Sequence, residues 1–135
     1  MYEQAIDRLI QSNSVVQGRL QSYLTPFNLT IQQFNILRIL NSLPAPVSVC
    51  EIRQRMMYKM SDTSRLVKRL SEKGLLKRQS CCNDKRLLDI ALTDDGQTLI
   101  KRVEQNFSSY ATDLFAKLSD DECRLLCRLL DKVAK

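Results

Sequence analysis

The stretch from Met60 to Thr93, MSDTSRLVKRLSEKGLLKRQSCCNDKRLLDIALT, decides how the rest of the chain is read. Its first part spaces apolar and cationic residues as a helix does. On a helical wheel Thr63, Leu66, Val67 and Leu70 gather on one side. Ser61, Arg65, Lys68 and Glu72 point the other way, flanked by Ser64 and Arg69. This predicts a helix capped by Ser61, running to Lys73 and stopped at Gly74, because glycine takes the left-handed conformation without steric penalty. Leu75 to Ser80 and Leu87 to Leu92 read as two short strands, the second alternating Leu88, Ile90 and Leu92 with Leu87, Asp89 and Ala91. Between them Cys81-Cys-Asn-Asp-Lys-Arg86 is a polar loop, too long for a two-residue hairpin.

Charge singles out the same region. Residues 51–88 hold 11 Lys and Arg against 4 Asp and Glu, a net of +7, in a chain whose total is +6. The remainder is close to neutral. A positive excess confined to one contiguous third is the footprint of a polyanion binder, against the alternative of a solvated charged surface. The outward side of the 61–73 helix supplies hydroxyls and cations near its start, the donors suited to phosphates and base edges. A cationic loop projecting from a hairpin can reach a minor groove, whose negative potential attracts arginine.

Working outward, Ile6, Leu9, Ile10, Val16, Leu20 and Leu24 predict a long first helix, ended by Thr25-Pro26. Thr30-Ile-Gln-Gln33 is a capping box opening a helix to about residue 42, with Phe34, Leu37, Ile39 and Leu40 inside. Pro44-Ala-Pro46 breaks the chain and Val47 suits a brief edge strand. Ser48-Val-Cys-Glu51 is a second box, opening a short helix over about 48–56 with Ile52 and Met56 inward. Beyond the hairpin, Thr93 caps a fifth helix with an acidic first turn, predicted to reach Lys117. Ser119-Asp-Asp-Glu122 opens the last helix, to about residue 134. Its apolar positions spread over about 200° of the wheel, where one-sided packing needs little more than ~100°. The excess calls for a second packing surface, most simply another subunit.

Several classes are disfavoured. No apolar run approaches a membrane span and the N-terminus has no signal-peptide pattern, so a cytoplasmic protein without membrane association is expected. Histidine is absent, which removes Ser-His and Cys-His pairs and His-based zinc sites. Three glycines provide no phosphate-cradling loop. Neither catalysis, nor a metal, nor a cofactor is expected. Five cysteines, an odd number, argue against a disulfide framework.

Helix, turn, basic helix and hairpin wing together make a winged helix-turn-helix, a mainly α (α+β) fold with about six helices and a two- to three-stranded wing. The run Ser64-Arg-Leu-Val-Lys-Arg-Leu-Ser-Glu-Lys-Gly-Leu-Leu-Lys-Arg78 resembles the recognition helix and first wing strand of the MarR family of bacterial transcription regulators. Asn83-Asp-Lys-Arg86, Ile90-Ala-Leu-Thr93 and Gly96 resemble that family's wing and the start of its next helix. The resemblance covers essentially the whole chain. It implies a single domain over residues 1–135, with 30–93 reading DNA and helices in 1–26 and 94–135 holding a homodimer. It implies a probable-repressor role on pseudo-palindromic double-stranded operator DNA. The major-groove candidates are Ser61, Thr63, Ser64, Arg65, Lys68 and Arg69, with Thr63 leaning toward the core. The wing candidates are Asp84, Lys85 and Arg86, with Asp84 bracing a neighbouring cation or the loop.

Many members of the family answer to small aromatic ligands. Phe27, Phe34, Phe107 and Tyr110 are candidates to line such a cleft, with core packing the competing role of each. Cys81 and Cys82 stand beside Arg78, Lys85 and Arg86, and nearby cations favour thiolate, so a thiol switch is a second route to release. Cys123 and Cys127 read as small buried residues in preference to a soft-metal pair, and Cys50 as core. The competing function is a winged-helix adaptor whose basic face meets an acidic protein without DNA specificity.

Overall fold

The computed structural model describes residues 1–44, 46–56, 62–80 and 88–135. In chain order the elements are α1 (Tyr2–Leu24), a 3-10 turn (Thr25–Phe27), α2 (Ile31–Ser42), β1 (Val47–Ser48), α3 (Val49–Arg55) and α4 (Thr63–Glu72). Then follow β2 (Leu76–Ser80), β3 (Leu88–Leu92), α5 (Asp94–Gln105), α6 (Phe107–Leu114) and α7 (Asp120–Ala134). The chain forms two compact units, Met1–Val103 and Glu104–Lys135.

Local chemistry accounts for most element starts in the first unit. Thr30 caps α2 through a complete box: its hydroxyl accepts from the Gln33 N–H at 3.2 Å and its own N–H donates to Gln33 Oε1 at 3.1 Å. Ser48 accepts from the Glu51 N–H at 3.2 Å and starts α3. Pro26 sits inside the 3-10 turn that ends α1, and Asn28 closes that turn in the left-handed region at φ 57°. The core behind these caps contains Leu24, Phe34, Ile36, Leu37, Ile52, Val67, Leu70, Ile90, Ile100 and Val103. α4 packs on β2, α3 and α2.

The sheet is antiparallel with order β1-β3-β2, so β3 is the central strand. Val47 pairs with Ile90, and Ile90 also faces Arg78 across the other ladder. Ile90 and Leu92 are buried while Asp89 and Ala91 lie at the margin, the alternation of a strand with one packed face. The expected edge strand at Val47 is therefore present, and the first wing strand starts one residue later than the pattern suggests, at Leu76.

The joint between the sheet and α5 is tightly packed. Thr93 Oγ1 accepts from the Gly96 N–H at 3.0 Å, capping α5, and donates to the Gly74 carbonyl at 2.6 Å. The Thr93 N–H donates to the Leu75 carbonyl at 3.1 Å. The first turn of α5 lies so close that a Cβ on Gly96 would sit 2.2 Å from the Leu75 oxygen. Only glycine fits there. Gly74, at φ 77°, makes the turn that brings Leu75 into position.

Three expectations need correction here. The helix predicted to run from Thr93 to Lys117 is divided at Asn106 into α5 and α6. Asn106, Ser108 and Ser109 are weaker helix formers than the residues around them, which apolar periodicity does not register. The cap of α4 is Asp62 and not Ser61, and its side chain makes no capping bond. The neighbouring Ser and Asp are equally competent caps, so composition could not choose between them. Cys50 is exposed, two residues from the buried Ile52 and hence on the far side of α3.

In the second unit, Ser119 and Glu122 complete the capping box of α7, with Ser119 Oγ accepting at 3.1 Å and Glu122 Oε1 accepting at 3.0 Å. The Ser119 N–H on its oxygen holds the Glu122 carboxyl below its ordinary value, with the Ser119 hydroxyl contributing next. No residue of α7 is fully buried. Cys127 is accordingly exposed and Cys123 half-buried, where two buried positions were expected.

Candidate nucleic-acid interface

α4 is strongly two-sided because its apolar residues recur at helical spacing. Thr63, Leu66, Val67 and Leu70 are buried. Ser64, Arg65, Lys68 and Arg69 are exposed. Among the described residues, none of Arg65, Lys68 and Arg69 is tied to an acidic side chain by an ion pair within reach. Four hydrogen-bonding side chains, three of them cationic, therefore stand on one face of a helix whose other face is locked in the core.

Thr63 is removed from the exposed set. It is 1% accessible, so its hydroxyl faces the interior and cannot reach a duplex from this position. Ser61, Asp84, Lys85 and Arg86, together with Cys81 and Cys82, lie outside the described residues.

Other exposed cations extend the basic surface of the first unit. α3 carries Arg53 and Arg55, the latter 3.6 Å from Glu51 one turn earlier. β2 carries Lys77 and Arg78, exposed on an edge strand. These four were counted in the charge of the region but not singled out as site residues. Only their placement in the tertiary structure puts them at the surface of the same unit as α4.

The aromatic candidates separate. Phe34 is 1% accessible and fills the core, with the Arg38 guanidinium 5.2 Å from its ring centre. Its expected place in a ligand cleft is corrected to packing. Phe27 is half-buried between the Tyr23 ring and the Arg102 guanidinium, each 5.8 Å from its centre. Phe107 and Tyr110 belong to the second unit, where their rings lie 6.1 Å apart. Among the described residues no group of three or more Cys, Asp and Glu is placed to hold a metal ion.

The sequence model of the MarR family matches residues 27–87. Solved structures share the fold over nearly the whole chain. The Escherichia coli MarR C80S mutant in complex with operator DNA is 28% identical with a TM-score of 0.87, covering 97% of this chain and 94% of its own. A MarR-like transcription regulator from Bacillus cereus is 19% identical with a TM-score of 0.87, covering 98% and 95%. BpsR of Bordetella bronchiseptica, whose DNA binding is regulated by 6-hydroxynicotinic acid, is 20% identical with a TM-score of 0.85, covering 98% and 99%.

Proposed function

We propose that the chain, whose residues 27–87 match the sequence model of the MarR family, is a transcriptional regulator of that family that binds pseudo-palindromic operator DNA as a homodimer and represses transcription from it. The observation that carries this reading is the exposed Ser64, Arg65, Lys68 and Arg69 face of α4. A helix seated by its apolar side can enter a major groove, where arginine and lysine pair with guanine edges and the shorter hydroxyl with phosphate or base. The 28% identical Escherichia coli protein was solved with operator DNA, which supports the same use of the fold here. Asp84, Lys85 and Arg86 form the wing tip in this reading, with Arg86 directed to the flanking minor groove.

The homodimer reading rests on apolar surface left uncovered by the chain itself. α7 exposes Leu125, Leu129 at 50%, Leu130 and Val133 at 73%, and α1 exposes Ile6, Leu9 and Ile10. Each is an exposed apolar helical face of the kind that marks association. Two-fold association would present two copies of α4 to half-sites about one helical turn apart. The effector class in this reading is a small aromatic compound; the DNA binding of BpsR is regulated by one, 6-hydroxynicotinic acid.

The test is selection of bound duplexes from a random library, followed by titration at several salt concentrations. A two-fold symmetric motif, with affinity falling steeply with salt, is the expected result. Arg65→Ala should then cost about 1–3 kcal/mol of discrimination at one base pair of each half-site. Equal affinity for selected and scrambled duplexes would favour the adaptor reading, in which the basic face meets an acidic protein.

A further inference from the structure

The two ends of α4 are held differently. At its start Asp62 makes no side-chain capping bond, and the buried Thr63, Leu66, Val67 and Leu70 anchor the helix by largely apolar contact. Such contact is non-directional and tolerates small rotations. At the other end the Leu75 N–H donates to the Leu70 carbonyl and the Gly74 N–H to the Ser71 carbonyl, both at 3.0 Å. This closes the helix in a Schellman turn around the left-handed Gly74.

Lys73, the last residue before that turn, reaches across to the α1–α2 corner. Its Nζ donates to the Asn28 carbonyl at 2.7 Å and to Gln33 Oε1 at 3.3 Å. Both acceptors are fixed. Asn28 is the left-handed residue closing the 3-10 turn, and Gln33 is 5% accessible with its Oε1 already engaged by the Thr30 N–H. The corner is braced from α1 by Gln21, whose Nε2 donates to the Leu29 carbonyl at 3.0 Å and whose Oε1 accepts from the Ile31 N–H at 3.3 Å. A continuous line of directional bonds thus joins α1 to the C-terminal end of α4. Gln21, Asn28, Gln33 and Lys73, with Arg69 and Glu72, line one open groove.

We propose that Lys73 is a positioning residue that ties α4 to the Asn28–Gln33 corner and so sets the orientation in which Arg65 and Arg69 meet DNA, with Gln21 as its brace on α1. The proposal rests on the DNA-binding reading, but the tie can be tested without DNA. Lys73 is not a phosphate anchor on this view, since two of its three donors are committed to the protein. Gln21 carries no charge, so its effect on binding cannot be counterion release.

The experiment uses the full chain and the variants Lys73→Met, Lys73→Arg and Gln21→Ala, at a temperature where thermal melts show all of them folded. Without DNA, amide exchange at Gly74 and Leu75 should quicken about five- to tenfold in Lys73→Met, the effect of losing one charge-assisted bond near the surface. Exchange at Ile90 and Val103 should stay near the wild-type rate. With the selected operator, Lys73→Met and Gln21→Ala should each weaken binding about three- to tenfold. The salt slope and the affinity for random duplex should be unchanged, and Lys73→Arg should recover most of the loss. A salt slope reduced by about one, with all duplexes weakened alike, would overturn the proposal by making Lys73 a phosphate contact. Unchanged exchange in Lys73→Met would overturn it as well. A wild-type protein that binds no duplex would defeat the DNA-binding reading, and the exchange rates would still decide the tie.

Discussion

Alanine at Gly96 should loosen the joint between the wing sheet and α5, and the size of the effect follows from distances. The added Cβ would lie 2.2 Å from the Leu75 oxygen and 3.2 Å from both the Leu75 carbonyl carbon and Leu92 Cδ2. Carbon–oxygen contacts settle at about 3.3 Å or more, so the first turn of α5 must retreat by roughly 1 Å. The Thr93 N–H bond to Leu75 and the Thr93 hydroxyl bond to Gly74 would be stretched by that movement. Losing the two costs about 1–3 kcal/mol, and crowding a packed site about 1–3 more. The helix preference for alanine over glycine returns about 1 kcal/mol. The expected net loss is about 3 kcal/mol. Gly18 and Gly74 provide controls of different sign, since a Cβ at either meets nothing within 4 Å. Gly74→Ala bears only the strain of φ 77°, about 1–2 kcal/mol. Gly18→Ala, in the interior of α1, should gain about 0.5–1 kcal/mol. Urea melts followed by circular dichroism, at one protein concentration, measure all three. A Gly96→Ala protein as stable as wild type, or more stable than Gly74→Ala, would refute the close approach of α5 to Leu75.

Other outcomes can be checked alongside. Thr30→Ala removes the hydroxyl half of the α2 capping box and should cost about 1 kcal/mol in the same melts. Leu129→Asp places a charge in the exposed apolar face of α7 and should shift the protein toward monomer in sedimentation; an unchanged mass would remove α7 from the dimer interface. Because the Glu122 carboxyl is held below its ordinary 4.5, the stability it contributes is complete above that value and fades as the pH falls past it toward the lower folded value. Acidification should therefore erode helical ellipticity more in wild type than in Glu122→Gln, which keeps an acceptor that does not titrate. Identical acid profiles would show that the charge at this cap is irrelevant to α7.

Local signals were readable in the residues themselves. The capping boxes at Thr30 and Ser119, the hydroxyl cap at Ser48, the stop at Gly74 and the alternation around Ile90 are consequences of short-range sterics and hydrogen bonding, which a run of a few residues determines alone. The two-sidedness of α4 was legible for the same reason: a fixed period maps apolar and cationic residues onto opposite faces. The resemblance of Ser64–Arg78 and of Asn83–Gly96 pointed to the MarR family, whose sequence model matches residues 27–87, because those spacings report a joint arrangement that no single rule states. What the tertiary structure decided was which of several equivalent local options the chain takes. Thr63 stands with the apolar residues on the wheel yet was also a base-contact candidate by resemblance, and packing against neighbouring elements decides for burial. Gly96 looks like any helical glycine until the Leu75 carbonyl is found where its Cβ would be. Lys73 reads as one more cation in a basic stretch, yet its ammonium is engaged by a corner 40 to 45 positions away in sequence. Sequence periodicity records how a segment meets an environment, whereas the identity of the atoms in that environment is set by contacts between segments far apart along the chain.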